Sequence, residues 1–368
     1  MRIPVANVCI DQDEVKAVCK VLKSGWLSMG PAVEEFEDKF RKTVGARNAI
    51  AVNNGTAALH LALIALGIKQ GDEVIIPSLT FISTANVVLY QKAKPVLAEC
   101  DPRTYNITPE EIEKRITKKT RAIIPVDMNG MPFDYDAVLS VAKKHSISVI
   151  ADSAESLGAL YKDRKVGSIA PIHCFSFFPN KNITTGEGGM VTTEDDRLAK
   201  RMRVIRNQGQ KSRYNHIELG YNYRMTELQA AFGTAQLKKL RTLLEEKQRI
   251  ADRYTQLLKQ CNLVRTPFVP GYVTRHAWYM YAISVQARLR DKIVGMLSEK
   301  GIETRLSFPP VHVQPYYRKL FGYKEGSLPI TYGAWRSLID IPIWPGLSGI
   351  KQKYIINNLI RIVERLKK

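Results

Sequence analysis

FSFFPNKNITTGEGGM, residues Phe175 to Met190, sets one lysine, Lys181, in a loop between two apolar strand-like runs and follows it with Gly186, Gly188 and Gly189. A lysine so placed can act as a covalent catalyst. Its ammonium is a poor nucleophile while protonated and becomes a Schiff-base former when a partly dry, cationic or phosphate-rich pocket tunes its pKa. Glycines beside it would let the backbone approach a bound group closely. In a chain with 55 Lys and Arg the plainer reading of Lys181 is a solvated loop residue, so its company decides.

Upstream lies SVIADSAESLGA, where Ser148 to Ala151 reads as a short buried strand and Asp152 falls just past its C-terminal end, the place where open α/β sheets put ligand contacts. An Asp there can pair with a protonated pyridine nitrogen, the contact that makes pyridoxal 5′-phosphate (PLP) an electron sink. Its plainer role is to cap a helix starting at Ser153. Farther upstream, Ile50 to Val52 reads as a strand, Asn54-Gly55 breaks it, and Ala57 to Leu66 is a strong helix former. Free N–H groups at that helix start, aided by the Thr56 hydroxyl, suit a phosphate dianion. The same pattern also serves as ordinary punctuation between strand and helix.

Taken together and in this order, these elements resemble the DegT/DnrJ/EryC1/StrS family of PLP-dependent sugar aminotransferases. The resemblance runs from SGWLSMGPAVEEFE (Ser24 to Glu37) through NNGTAALHLAL, GDEVIIPSLTFISTANVV, ADSAESLGA, the lysine stretch and GYNYRMTELQAAFG to PPVHVQPYYR (Pro309 to Arg318). NKNITTGEGGM is most similar to perosamine-synthase-like members, which aminate a keto group at C4 of a nucleotide-linked 6-deoxysugar. The resemblance implies the fold-type I, aspartate aminotransferase-like α/β architecture.

By the same resemblance, Lys181 matches the lysine that bonds covalently to the cofactor and later moves the proton, and Asp152 matches the partner of the pyridine nitrogen. Phe81 matches the aromatic that stacks on the ring, and Gly55, Thr56 and Ser176 match phosphate contacts. Asn222, in Gly220-Tyr221-Asn222-Tyr223-Arg224, matches an asparagine that reaches the phosphate of a neighbouring subunit's cofactor. Glu155 stands where many relatives carry Gln or His near the ring oxygen, and perosamine-type relatives also use Glu there. Trp26, Ser28 and His312 are the substrate-side candidates. Read alone, Phe81 is a core aromatic, and Ser176 and Asn222 are ordinary hydrogen-bonding residues. One departure is visible at Asp127 or Met128, where many relatives place a His near the cofactor face.

Strand-like runs at Ala49 to Asn53, Glu73 to Pro77, Pro95 to Glu99, Ala122 to Val126, Ser148 to Ala151 and Ile172 to Phe178 alternate with helical stretches, and Gly189 to Thr193 adds a strand after the lysine loop. The pattern predicts a mainly parallel sheet with helices on both faces. Thr226 to Leu258 reads as a long helix, and Tyr279 to Val285 and Ile302 to Leu306 as strands of a smaller C-terminal α+β domain. The expected division is 1–245 for a large PLP-binding domain and 246–368 for the small one.

With 368 residues, 45% of them hydrophobic, the chain can bury a large core. The N-terminus lacks an apolar signal core and no apolar run reaches a membrane span, so a cytoplasmic protein without membrane contact is expected. Cys9, Cys19, Cys100, Cys174 and Cys261 are odd in number and scattered, which reads as reduced structural thiols. His173, His216 and His276 have no spacing that suggests a metal site. The net charge of +20 invites a nucleic-acid reading, but the basic residues are mixed with acidic ones along helices and form no recognisable nucleic-acid module. A solvated repulsive surface, or a field that attracts an anionic nucleotide diphosphate, accounts for it instead.

The sequence thus predicts a homodimer with shared sites, transferring an amino group from L-glutamate to a nucleotide-linked keto sugar. A family dehydratase would carry His in place of Lys181. A non-catalytic regulator on the same fold would have been marked by loss of Lys181, Asp152 or the phosphate contacts.

Overall fold

The strand-like runs pair into one seven-stranded sheet in a computed structural model that describes residues 2–367. Its strands are β1 (Asn48–Val52), β2 (Glu73–Pro77), β3 (Lys94–Ala98), β4 (Thr120–Ile123), β5 (Ser148–Asp152), β6 (Ile172–Ser176) and β7 (Gly189–Thr193). They lie in the order β1-β7-β6-β5-β4-β2-β3. β7 runs antiparallel to both of its neighbours, and the remaining pairs are parallel.

Alternation along the strands feeds two separate cores, as the two-residue period of a strand requires. Ala49, Ala51, Ile75, Val149 and Ala151 point into one, and Ile50, Val52, Val74, Ile76 and Ile150 into the other. Helices α1 (Pro31–Val44), α2 (Gly55–Ala65), α3 (Ser83–Tyr90), α4 (Tyr135–Lys144), α5 (Asp196–Arg206) and α6 (Glu227–Leu258) cover the sheet. The first core takes residues of α1, α4 and α6, and the second takes residues of α2, α3 and α5. Both faces of a parallel sheet are thereby buried, the condition under which such sheets occur.

A third core lies C-terminal. Strands β8 (Tyr281–Ser284) and β9 (Leu338–Ile341) pair antiparallel and pack with helix α7 (Gly349–Lys367) around Ile283, Ile339, Ile355 and Leu359. α6 changes partner along its length, with Leu243 and Leu244 in the first core and Ile250, Ala251 and Tyr254 in the third. That change supports, as a proposal, the division of the chain near residue 245. Ile3 joins the third core as well, through a bridge to Ile302. Ile302 to Leu306, expected as a strand, makes only isolated bridges, Ile302 to Ile3 and Arg305 to Asp340. Its residues contact two different segments, so no ladder can propagate along it. Among the described residues no helix is long and apolar enough to cross a membrane.

Candidate active site

The carboxyl ends of β1, β5 and β6 open onto one cavity of about 640 Å³. Gly55, Thr56, Phe81, Asp152, Glu155, Ser176 and Lys181, widely separated in sequence, all line it.

At one end the first turn of α2 offers its N–H groups. Asn54 caps the helix by accepting from the Ala57 N–H at 2.8 Å, and Thr56 Oγ1 lies 2.7 Å from Ser83 Oγ. Gly55 is required by space, because a Cβ there would fall 2.9 Å from Ser176 Cβ. Of the glycines after Lys181, Gly189 makes a close approach within the protein itself. A Cβ at Gly189 would lie 2.5 Å from Asn54 O, so this residue seats β7 against the turn before α2, bringing protein backbone against protein backbone.

Asp152 ends β5 and no helix follows it; the capping role is replaced by a local turn in which its Oδ1 accepts from the Ala154 N–H at 3.2 Å. Its Oδ2 accepts from Thr84 Oγ1 at 2.9 Å. Burial pushes the carboxyl up to about 6, partly offset by those donors and by the charge of Lys181. A carboxylate in that state gains from a cationic partner.

Lys181 Nζ lies 4.1 Å from the centre of the Tyr279 ring and 3.5 Å from Glu155 Oε1. The other carboxylate oxygen, Oε2, accepts from the Asn129 N–H at 2.7 Å, from a backbone with φ 60. Glu155 is thus aimed at the lysine by a residue in the left-handed region. At the departure from the family pattern, Met128 lines the cavity, and Asp127 is buried beneath it. Asp127 accepts from Tyr135, Ser153, Ser156 and the Phe133 N–H, and burial pushes its carboxyl up to about 7 despite them.

Four expected site residues are not brought into this cavity. Trp26 is 58% exposed, Ser28 is exposed on the same segment, and Asn222 is exposed beyond a bridge to Asn207. His312 is fully buried, its Nδ1 2.8 Å from Ser78 Oγ. Among the described residues no His, Cys, Asp and Glu cluster could hold a metal ion.

The structure adds residues that the sequence reading passed over. Arg305 faces the cavity with Nη1 donating to Tyr279 Oη at 2.9 Å and Nε to Asp340 Oδ2 at 2.9 Å. Its Nη2 is buried with no partner, and so is Asn180 Oδ1, also in the cavity wall. Neither had a local signal, since Arg305 is one of 55 basic residues and its meaning comes from Asp340 and Tyr279.

These residues fit PLP. Phe81 keeps 53% of its surface exposed beside the cavity, its ring tilted against that of Phe308 with centroids 5.3 Å apart. Gly55 and Ser176 leave a cradle that a side chain would fill, and Asn180 holds an unused acceptor.

Comparison with known proteins agrees. The chain is 45% identical over 354 residues to a GDP-perosamine synthase of Caulobacter vibrioides, covering 94% of each chain. It is 40% identical over 363 residues to the spore coat polysaccharide biosynthesis protein SpsC of Bacillus subtilis, covering 94% of this chain and 93% of that one. The PLP form of a putative sugar aminotransferase, Spr1654 of Streptococcus pneumoniae, superposes with a TM-score of 0.95 at 28% identity, covering 100% of both chains. Residues 8–360 match the model of the DegT/DnrJ/EryC1/StrS aminotransferase family, and with the lysine, the aspartate and the helix start in one cavity the chain belongs to that family of PLP-dependent enzymes.

Proposed function

We propose that this aminotransferase converts a nucleotide-linked 4-keto-6-deoxysugar into the 4-amino sugar with L-glutamate as donor, GDP being the nucleotide. The observation that carries the reading is the set of Lys181, Asp152 and Glu155 around one cavity, in a chain 45% identical to a GDP-perosamine synthase.

PLP, when bound, supplies an electron sink that lets a C–H beside nitrogen ionise. Lys181 would hold the cofactor through Nζ, and the free Nζ would serve as the base that takes a proton from the donor's Cα. Asp152, buried and short of a cationic partner, would hold a positive charge on the ring nitrogen. Glu155 holds the lysine's nitrogen on the cavity side. The unpaired Nη2 of Arg305 supports a carboxylate donor, since a guanidinium edge matches a carboxylate.

We also propose a homodimer with shared sites. Asn222 is exposed and outside its own chain's cavity, which supports a contact with the partner's cofactor phosphate.

The test is to supply purified protein with glutamate and GDP-, UDP- or dTDP-linked 4-keto-6-deoxyhexoses and to detect the amino sugar by mass. Amino product from the GDP sugar alone bears the reading out. Product from UDP or dTDP sugars alone moves it to viosamine- or bacillosamine-type chemistry, and cofactor binding with no transfer to any sugar points to a regulatory protein.

A further inference from the structure

We infer that Lys247 is a positioning residue for Lys181, acting through Asn182. The inference rests on the reading of Lys181 as the catalytic lysine. Lys247 lies on α6, 5% exposed, and its Nζ donates to Asn182 Oδ1 at 2.8 Å. Asn182 follows Lys181 directly, and its Nδ2 donates to Leu157 O at 3.2 Å and Ala277 O at 2.9 Å. One amide therefore joins α6, the lysine loop, the turn that carries Glu155 and the segment that leads to Tyr279. Glu155 and Tyr279 are the two groups that flank Lys181 Nζ.

A lysine is what this junction needs. Lys offers donors to Asn182 and no competing acceptor in its ammonium form, so it fixes which end of the amide faces α6 and leaves both amide hydrogens for the two carbonyls. Burial pushes the Lys247 amine down to about 7, with repulsion from Lys181 adding to it. Ammonium and amine both donate, so the junction survives loss of the proton. Among the described residues no carboxylate pairs with Lys247. An unpaired buried amine costs stability, and a position with only packing to do would be filled better by Met or Leu. Lys247 and Lys181 also line the same small cavity behind the site.

The test uses Lys247→Met, Lys247→Arg, Asn182→Ala and the double variant Lys247→Met/Asn182→Ala, each as the full chain loaded with PLP. Circular dichroism in the cofactor's visible band reports how the ring is held, and melting reports the fold. Lys247→Met and Asn182→Ala should each weaken the visible dichroism and lower kcat roughly ten- to a hundredfold, with the glutamate KM within about twofold. Lys247→Arg should restore the dichroism, and the double variant should lose no more than the worse single one. Should Lys247→Met fail to fold, Asn182→Ala carries the same two readings. Wild-type dichroism and kcat in either folded single variant, or losses that multiply in the double, would overturn the inference. A wild-type chain that binds PLP without transferring amino groups would instead remove the reading of Lys181, and this inference with it.

Discussion

Asp152 and Glu155 are buried at the floor of the cavity and Lys181 is partly exposed above them, and each is tied to its own chain, by Thr84 and Ala154, by Asn129, and by Tyr279 and Glu155. The hairpin that precedes Asn222, strands Gln210–Ser212 and Asn215–His216 paired antiparallel, is the opposite case, with Tyr214 at its turn 79% exposed and Ile217 and Leu219 just beyond it 54% and 80% exposed. One region is tied together by contacts within a single chain, and the other leaves large apolar groups in water. Groups of a single chain suffice to build the floor. Exposed aromatic and aliphatic groups next to a candidate phosphate ligand support the proposal that a second chain covers them.

Four experiments press on that difference. The largest effect is expected at the floor, where Lys181→Ala should lower turnover by at least about 10³-fold without lowering the melting temperature of the apo chain. More than a trace of transamination in the pure variant would defeat the assignment. Asp152→Asn comes next. It should cost roughly 10²-fold in kcat, the scale of losing one preorganised charge partner. Normal turnover per folded molecule would reduce Asp152 to a turn former. At the hairpin, mixing a Lys181→Ala chain with an Asn222→Ala chain separates the two regions. In a shared-site dimer one of the two sites carries both lesions and the other carries neither, so activity should return on mixing two weak parents. No recovery in mixed dimers shown to form, or an active monomer in sedimentation, breaks the comparison.

The smallest effect concerns pH. The folded carboxyl of Asp152 titrates at about 6, above its usual value, so the apo fold binds that proton more tightly than the unfolded chain does. Its contribution to stability is complete below the usual carboxylate range and is lost as pH rises through about 6. Asp152→Asn lacks this dependence, while Asp127 titrates in both proteins. The melting temperature of apo Asp152→Asn should therefore gain a few °C relative to apo wild type between about pH 4 and 7. A constant difference across that range would show that burial does not hold the proton on Asp152.

Much of this was legible in the sequence, for a physical reason. β1 and β5 carry apolar runs, and β1, β5 and β6 lead into Asn-Gly, Asp152 and the lysine loop, so the place of the site can be read locally. Strand ends fell within a few residues of Asn48–Val52 and Ile172–Ser176. What was not legible depends on distant partners. Ile302 to Leu306 has strand-like residues but meets two different segments. Arg305 takes its meaning from Asp340 and Tyr279, and Lys247 from Asn182, pairs that no spacing rule links. The role of Gly189 was read one partner short, because the backbone that approaches it is its own chain's at Asn54.

β7 pairs along all five of its residues with β1 on one side and β6 on the other, and Gly189 faces both Val52 and Ser176. The lysine loop therefore leaves and re-enters the sheet between two adjacent interior strands, pinned at both ends by ladders whose side chains alternate. A one-residue slip of β7 against these partners would turn all of its side chains to the opposite face, so the sheet fixes where the loop ends. The hairpin before Asn222 stands outside those ladders, so an insertion there disturbs no pairing of the central sheet.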